Sequence, residues 1–295
     1  MKKIVVGFGE LLWDMLPQGR QIGGAPGNFA YHAMQCGLDG YIVSAVGKDP
    51  LGKEILQVAD RRGINCLVSC VEHPTGTVDV QLNALGVPQY TINEGVAWDY
   101  IPFSKELRAL APKADGICFG SLTQRNKVSR NTLHQFLSYA QPDALRIFDI
   151  NLRQHFYSQQ LIKDSLALCN ILKLNEEEAV ILGKMLGYTT SERVAISKQI
   201  LSSFHLKMVI LTCGSDCSYV FTPTEESYLK TPSVKIADTV GAGDSFTAAF
   251  CSCIMQGKSI REAHAAAVEI AAFVCTQNGA MPAWTSELKN KYTQS

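Results

Sequence analysis

The sequence predicts an α/β protein: a central, mostly parallel sheet covered by helices on both faces in three layers, with a small β-hairpin unit standing off it. Two observations carry this. Short, fully apolar runs of strand length, "KIVVGFG", "YIVSAVG", "GICFGS", "RIFDI", "ILKLN" and "MVILTCG", alternate with helix-length amphipathic stretches. Strands that lack polar alternation are buried on both sides, which is the situation of a parallel sheet under crossover helices. One stretch, 75–102, departs from that rhythm and alternates apolar with polar residues.

Taken in order, "MKKIVVGFGELLWDM" starts like a secretion signal, but Glu10 and Asp14 interrupt its apolar run and no small-residue cleavage site follows. It reads as the first buried strand. The helix-like stretches after it end at Gly37, Gly63, Ala140, Asn170, Gly187 and Phe204. The segment 75–102 turns around 84–87 and has the pattern of an antiparallel hairpin with one wet face. It is expected, with part of 10–25, to form a β unit over about 73–102 that acts as a lid or a dimer surface. A second hairpin, "YVFTP" then "YLKTP", should extend the sheet edge, and long helix patterns follow over 242–256 and 259–277. No linker, repeat or low-complexity segment divides the chain, so residues 1–295 are expected to form a single domain.

Composition narrows the class. Of 295 residues 46% are hydrophobic, enough for a large core, and 27 Lys+Arg balance 27 Asp+Glu. With no run of one sign, a nucleic-acid or membrane surface is not indicated, and small molecules are the expected ligands. Ten cysteines include the close pairs Cys66/Cys70, Cys213/Cys217 and Cys251/Cys253. None has C-x-x-C spacing, and most lie in apolar runs where free thiols pack as small hydrophobes. A reducing cytoplasm is the expected location.

Three glycine-containing turns could carry chemistry. "GFGELL" at Gly7 lacks the third glycine of the dinucleotide fingerprint, since Leu12 stands there, and "LLWDMLP" does not open a helix; an NAD-dependent dehydrogenase is therefore a distant alternative. "GGAPGNFA", with Gly24 and Asn28, enters a helix pattern: Asn28 is either an ordinary cap or an amide offering donor and acceptor to ligand hydroxyls. "ADTVGAGDSFTAAF" places Gly241, Ala242 and Gly243 at a helix start, where main-chain N–H groups and the helix dipole favour an anion. It has no Walker lysine. Asp244 stands there instead, either as a first-turn acid or as a reactive carboxylate.

"DTVGAGDSFTAAF" resembles the C-terminal signature of the PfkB (ribokinase-like) carbohydrate kinases, and "GGAPGNFA" their N-terminal sugar-site signature. The order and spacing agree, and "LWDMLP", "VGKDPLGKEIL", "FDINLR", "LNEEE" and "LTCGSDCSYVF" extend the resemblance over nearly the whole chain. It implies the ribokinase-like fold, ATP and Mg²⁺ as cofactors, and phosphoryl transfer to a sugar hydroxyl. Asp244 would be the catalytic base, kept ionised by the helix N-terminus, with Gly241, Ala242 and Gly243 as the anion hole. Asp14, Gly24, Asn28 and Arg153 would meet the sugar. Asn175, Thr212, Gly214 and Asn278 would meet the nucleotide, and Glu178 the Mg²⁺ through water. The plain alternative is that Glu178 is one face of a charged helix start and Asn175 only its cap. Some members bind a monovalent cation such as K⁺ here, for which Asp238 and Val240 would serve; Val240 replaces the threonine common in "DTTGAGD". Homodimers through the lid also occur in the family.

Between His73 and Pro102 there is no Lys or Arg, and between Glu10 and Ala30 only Arg20, so the sugar side suits a neutral substrate. Within the family the sequence is most similar to fructokinases. The alternatives are a 2-keto-3-deoxygluconate kinase, whose substrate carboxylate Arg153 or Arg125 would meet, then a ribokinase or nucleoside kinase. A sugar-binding protein without catalysis is the rival of a different class.

Overall fold

In the computed structural model, which describes residues 2–16, 19–82 and 88–293, the apolar runs assemble into a nine-stranded sheet. The first strand, β1 (Ile4–Phe8), lies inside it between β4 (Asp39–Gly47) and β8 (Gly116–Phe119), parallel to both. Beyond β8 the sheet continues in parallel through β9 (Leu145–Asp149), β10 (Ile171–Asn175) and β11 (Met208–Cys213). The hairpin of β12 (Cys217–Phe221) and β13 (Glu226–Lys230) adds the antiparallel edge that its two alternating runs predict.

At the opposite edge β5 (Asn65–Val71) pairs in parallel with β4. Sequence reading missed this strand. Its segment "NCLVSCV" is half-exposed along its length and mixes polar with apolar residues, as an edge strand can, so it lacks the buried-run signature.

Alternate residues of each strand feed opposite layers. Val5 packs with Phe29, Phe246, Phe250 and Ile270, under α1 (Ala25–Gln35), α8 (Ala242–Met255) and α9 (Ile260–Cys275). Val6 and Phe8 pack with Phe136, Ile162, Leu182 and Ile200, under α4 (Lys127–Ser138), α5 (Gln159–Leu168), α6 (Glu176–Leu186) and α7 (Arg193–Ser203). The result is the expected three-layer arrangement. No helix among the described residues is long and apolar enough to cross a membrane, and all ten cysteines are free.

A second sheet stands apart, in the order β3 (Gly19–Gly23), β2 (Leu12–Leu16), β6 (Gly76–Leu82), β7 (Pro88–Ile92). Its strands come from 12–23 and 76–92; the turn anticipated at 84–87 lies outside the described residues. "VAWDYIP" is not part of a strand: Ala97–Tyr100 is a 3₁₀ turn, and Trp98 is fully buried. Val78, Ile92, Val96 and Trp98 pack within the chain against Leu12, Leu122 and Phe156. The apolar side expected to suit a dimer is, among the described residues, already covered.

Candidate active site

The candidate residues collect at the carboxyl ends of the parallel strands, where doubly wound sheets form their crevices. β1 leads to Glu10, β9 ends on Asp149, β10 ends on Asn175, and β11 leads to Gly214. The two small-residue turns meet above this edge. Asn28 on α1 donates from Nδ2 to Asp244 Oδ2 on α8 at 2.8 Å, across 216 residues of sequence.

Asn28 is not a cap. Gly24 takes that position with φ 116°, and Asn28 sits inside the first turn of α1 with its amide donating to Gly24 O. Its Oδ1 is buried and has no partner. A buried acceptor without a donor costs about 1–3 kcal/mol, and beside a carboxylate it is suited to a ligand hydroxyl.

Asp244 lies in the first turn of α8, whose N-cap Gly241 is left-handed at φ 79°. Only glycine fits there. A Cβ at 241 would also come within 2.7 Å of Ala280 O. Of the three turn residues, Ala242 already donates its N–H to Thr239 O at 3.3 Å. First-turn amides have no partner within their own helix.

The helix N-terminus does not keep Asp244 acidic. Burial, followed by the charge of Asp149, raises its carboxyl to about 7, against the Asn28 hydrogen bond and Lys173. This corrects the expectation that the helix N-terminus keeps the carboxylate ionised. A group near neutrality can both take and release a proton at working pH.

Two groups that sequence reading did not single out stand beneath the turn. Lys173 on β10 is in register with Asp149 on β9, and its Nζ donates to Asp149 Oδ1 at 3.1 Å. Thr247 Oγ1 donates to Asp149 Oδ2 at 3.1 Å. The ammonium lies directly under the glycine turn, since a Cβ at Gly243 would stand 2.9 Å from Lys173 Nζ. Burial would lower the Lys173 ammonium, but Asp149, Glu178 and Asp244 outweigh it and hold it above the ordinary lysine range. A signal was present: a lone charge inside "ILKLN" and another inside "RIFDI" occupy strands buried on both faces, and such charges need each other.

Glu10, also unassigned from sequence, is 3% exposed and accepts from Thr123 Oγ1 at 2.7 Å. Burial raises its carboxyl despite that bond. With Asp149, Asn151 and Asp244 it lines a cavity of about 10 Å³, room for roughly one water.

The remaining sugar-side residues surround this point. Asp14 on β2 faces Gly23, and burial raises its carboxyl to about 6 with Arg153 opposing the shift. Arg153 is exposed. It lies between Asn151 and Gln154, non-glycine residues held at φ 43° and 46°. Left-handed backbone of this kind clusters at functional sites. Arg125, offered above as an alternative carboxylate partner, is engaged elsewhere: its guanidinium grips Asp99 at 2.8 and 2.9 Å, between Trp98 and Phe156.

On the other side, Asn175 and Glu178 form a reciprocal capping box at the start of α6, with bonds of 2.8 and 2.9 Å. Glu178 also accepts the Leu152 N–H at 2.9 Å, tying α6 to the Arg153 loop. Burial raises its carboxyl, with Lys173 opposing. Each of its oxygens accepts one main-chain N–H and keeps a second acceptor position, which a metal-bound water could use. Among the described residues no group of three or more His, Cys, Asp or Glu could hold a metal by itself. Thr212, next to last in β11, has Oγ1 3.5 Å from Leu174 O, Gly214 turns at φ 51°, and Asn278 is exposed beyond α9. Asp238 accepts from the N–H groups of Val240 and Gly279 at 3.0 and 3.1 Å. Its side chain fastens the turn to the segment after α9.

Known proteins are similar to this chain in sequence and in fold. A 6-phosphofructokinase of Thermoanaerobacterium thermosaccharolyticum, described as ATP-dependent, is 27% identical over 94% of this chain and 89% of its own. A fructokinase of Vibrio alginolyticus is 24% identical over 83% of this chain and 82% of its own. Among solved structures, fructokinase from Xylella fastidiosa with bound ATP superposes with a TM-score of 0.85 at 20% identity, covering 99% of this chain and 98% of that one. Fructokinase from Vibrio cholerae, holding fructose, ADP and potassium ion, gives 0.81 at 22% over 100% and 99%. Residues 14–287 match the pfkB family carbohydrate kinase description. The chain thus belongs to the pfkB family of carbohydrate kinases, phosphotransferases with an alcohol group as acceptor.

Proposed function

We propose that this kinase transfers the γ-phosphoryl group of ATP to a primary hydroxyl of a neutral sugar, D-fructose giving fructose 6-phosphate, with Asp244 as general base. The observation that carries the reading is the Asn28–Asp244 pair. A carboxyl with a pKa of about 7 stands 2.8 Å from an amide whose other end, Oδ1, is a buried acceptor without a donor. One sugar hydroxyl would donate to Oδ1 and satisfy it, while the primary hydroxyl beside it presents its own proton to the base.

In the transfer the sugar O–H proton passes to Asp244 as the new O–P bond forms, and the bond from Pγ to the β-phosphate oxygen breaks to release ADP. Negative charge spreads over the phosphoryl oxygens in such a loose transition state. The amides of 241–243 and the Lys173 ammonium beneath Gly243 would stabilise it. Glu178 would hold Mg²⁺ through water, and the ion when bound would neutralise further phosphate charge. Asp14, Gly24, Asn28 and Arg153 would line the sugar pocket under the second sheet as a lid, and Thr212, Gly214, Asn175 and Asn278 would flank the nucleotide.

Neutrality of the substrate rests on charge. Arg20 is paired with Glu54 and Arg125 with Asp99, and no other Lys or Arg falls in 10–30 or 73–102. A sugar phosphate would call for several cations. Arg153 is the feature that favours an acidic sugar, 2-keto-3-deoxygluconate, as second reading.

The test is ADP release followed with fructose, fructose 6-phosphate, 2-keto-3-deoxygluconate, ribose and adenosine at equal concentration. Fructose should give the highest kcat/KM. Turnover with none of them would sink the kinase reading for this site, and a clear preference for fructose 6-phosphate or 2-keto-3-deoxygluconate would sink the neutral-sugar assignment alone.

A further inference from the structure

We infer that His32 is a positioning residue for the anion-binding turn, holding the main chain at Ala280 against Gly241 and so linking the helix that carries Asn28 to the site of phosphoryl transfer. The inference rests on the reading of 241–244 as the phosphoryl site.

His32 lies on α1 four residues after Asn28, so the two side chains share a face. Asn28 reaches Asp244. His32, fully buried, reaches the other side of the same turn: its Nε2 is 2.8 Å from Ala280 O, and Trp284 donates from Nε1 to its Nδ1 at 3.1 Å. The Trp284 N–H can only donate, so Nδ1 is the acceptor and Nε2 carries the proton that Ala280 O accepts. The ring has one tautomer compatible with both neighbours.

The segment 277–285 after α9 is neither strand nor helix. With no ladder of its own, it relies on side chains for some of its main-chain groups. Asp238 accepts the Gly279 N–H, and His32 takes the next carbonyl. Ala280 in turn is the wall behind Gly241: a Cβ at 241 would meet Ala280 O at 2.7 Å, with its Cα and Cβ at 2.8 Å. With so little clearance, a displacement of Ala280 displaces the turn, and misplacement by about 1 Å can cost up to ~100-fold in rate. A histidine that only filled the core would touch neither the turn nor its backing.

The experiment compares His32→Leu, which removes both bonds at similar volume, with His32→Gln, whose amide can donate to Ala280 O and accept from Trp284. Hydrogen exchange over 238–244 in the free protein, and kcat and sugar KM on the preferred sugar, are read for each. His32→Leu should speed exchange over 238–244 and lower kcat about tenfold, with sugar KM within about twofold of the parent; His32→Gln should restore most of both. Should His32→Leu not fold, Trp284→Phe removes the bond that fixes the ring and should give the same pattern at about threefold. Unchanged exchange over 238–244, or a Gln variant as impaired as the Leu variant, overturns the inference. Absence of turnover with any sugar would fail the kinase reading instead, and exchange would still decide the role of His32.

Discussion

At the scale of single residues, Asp244 pays for its reactivity in stability. Its folded pKa of about 7 lies above the ordinary 3.8, so the folded state holds a proton that the unfolded chain releases. Above pH 3.8 this group therefore destabilises the fold increasingly, up to a plateau near pH 7. Asp244→Asn removes the ionisation while leaving Asn28 an acceptor. It should stabilise the fold at pH 7.5 by on the order of 2 kcal/mol, once coupling to Asp149 and Lys173 is discounted, and hardly at pH 4, read as a higher melting temperature at pH 7.5 alone. The same change should lower kcat by about 10²–10⁴. In the parent enzyme kcat/KM should rise with pH through an apparent pKa near that of the carboxyl. A variant as active as the parent would remove Asp244 from the base role, and one equally stable at both pH values would remove the raised pKa.

At the scale of elements, what could be read from sequence follows from burial. β1, β4, β8, β9, β10 and β11 were legible because strands covered on both faces are uniformly apolar. β5 and the 3₁₀ turn at Ala97–Tyr100 were not: an edge strand and an irregular segment carry no such period. The glycine turns and Asp244 were legible as local motifs, whereas Lys173 with Asp149, set by strand register, and Glu10 with Thr123, set by the loop after β1 and a 3₁₀ turn, join segments far apart in sequence. Arg125 with Asp99 is another of these, and it ties the second sheet down. The pair is 6% and 2% exposed, and Arg125 Nη2 also donates to Asn93 O, at the end of β7, at 2.6 Å. Asp99→Ala would leave a buried guanidinium without its counter-charge and should cost about 3–5 kcal/mol. Asp99→Ala with Arg125→Met should recover part of that, because a thioether packs between Trp98 and Phe156 without a charge. Urea denaturation of the three proteins reads this, and a double variant no more stable than Asp99→Ala would show that packing, not charge, holds the sheet.

At the scale of the whole molecule, two sets of buried groups set the pH response in opposite senses. His32 and His264 are lowered to about 4 by burial, His264 between the hydroxyls of Ser218 and Ser227. The unfolded chain binds protons at these sites from about pH 6.5 downward while the folded one does not, so their share of stability is lost as pH falls from 6.5 towards 4. Asp14, raised to about 6, and Asp244, raised to about 7, act oppositely, since the folded state keeps their protons and stability falls as pH rises over nearly the same window. The two slopes oppose each other, and the parent melting temperature should vary little between pH 4.5 and 6.5. His264→Gln removes one member of the first set and keeps a group able to bond both serines. Its melting temperature, relative to the parent, should increase as pH falls from 7 to 4.5, by about 5 °C if most of a shift worth ~3 kcal/mol is released. Calorimetric scans at pH 4.5, 5.5, 6.5 and 7.5 measure this, and a constant offset between the two proteins across the series would mean that His264 takes up no proton on acid unfolding that it lacks in the fold.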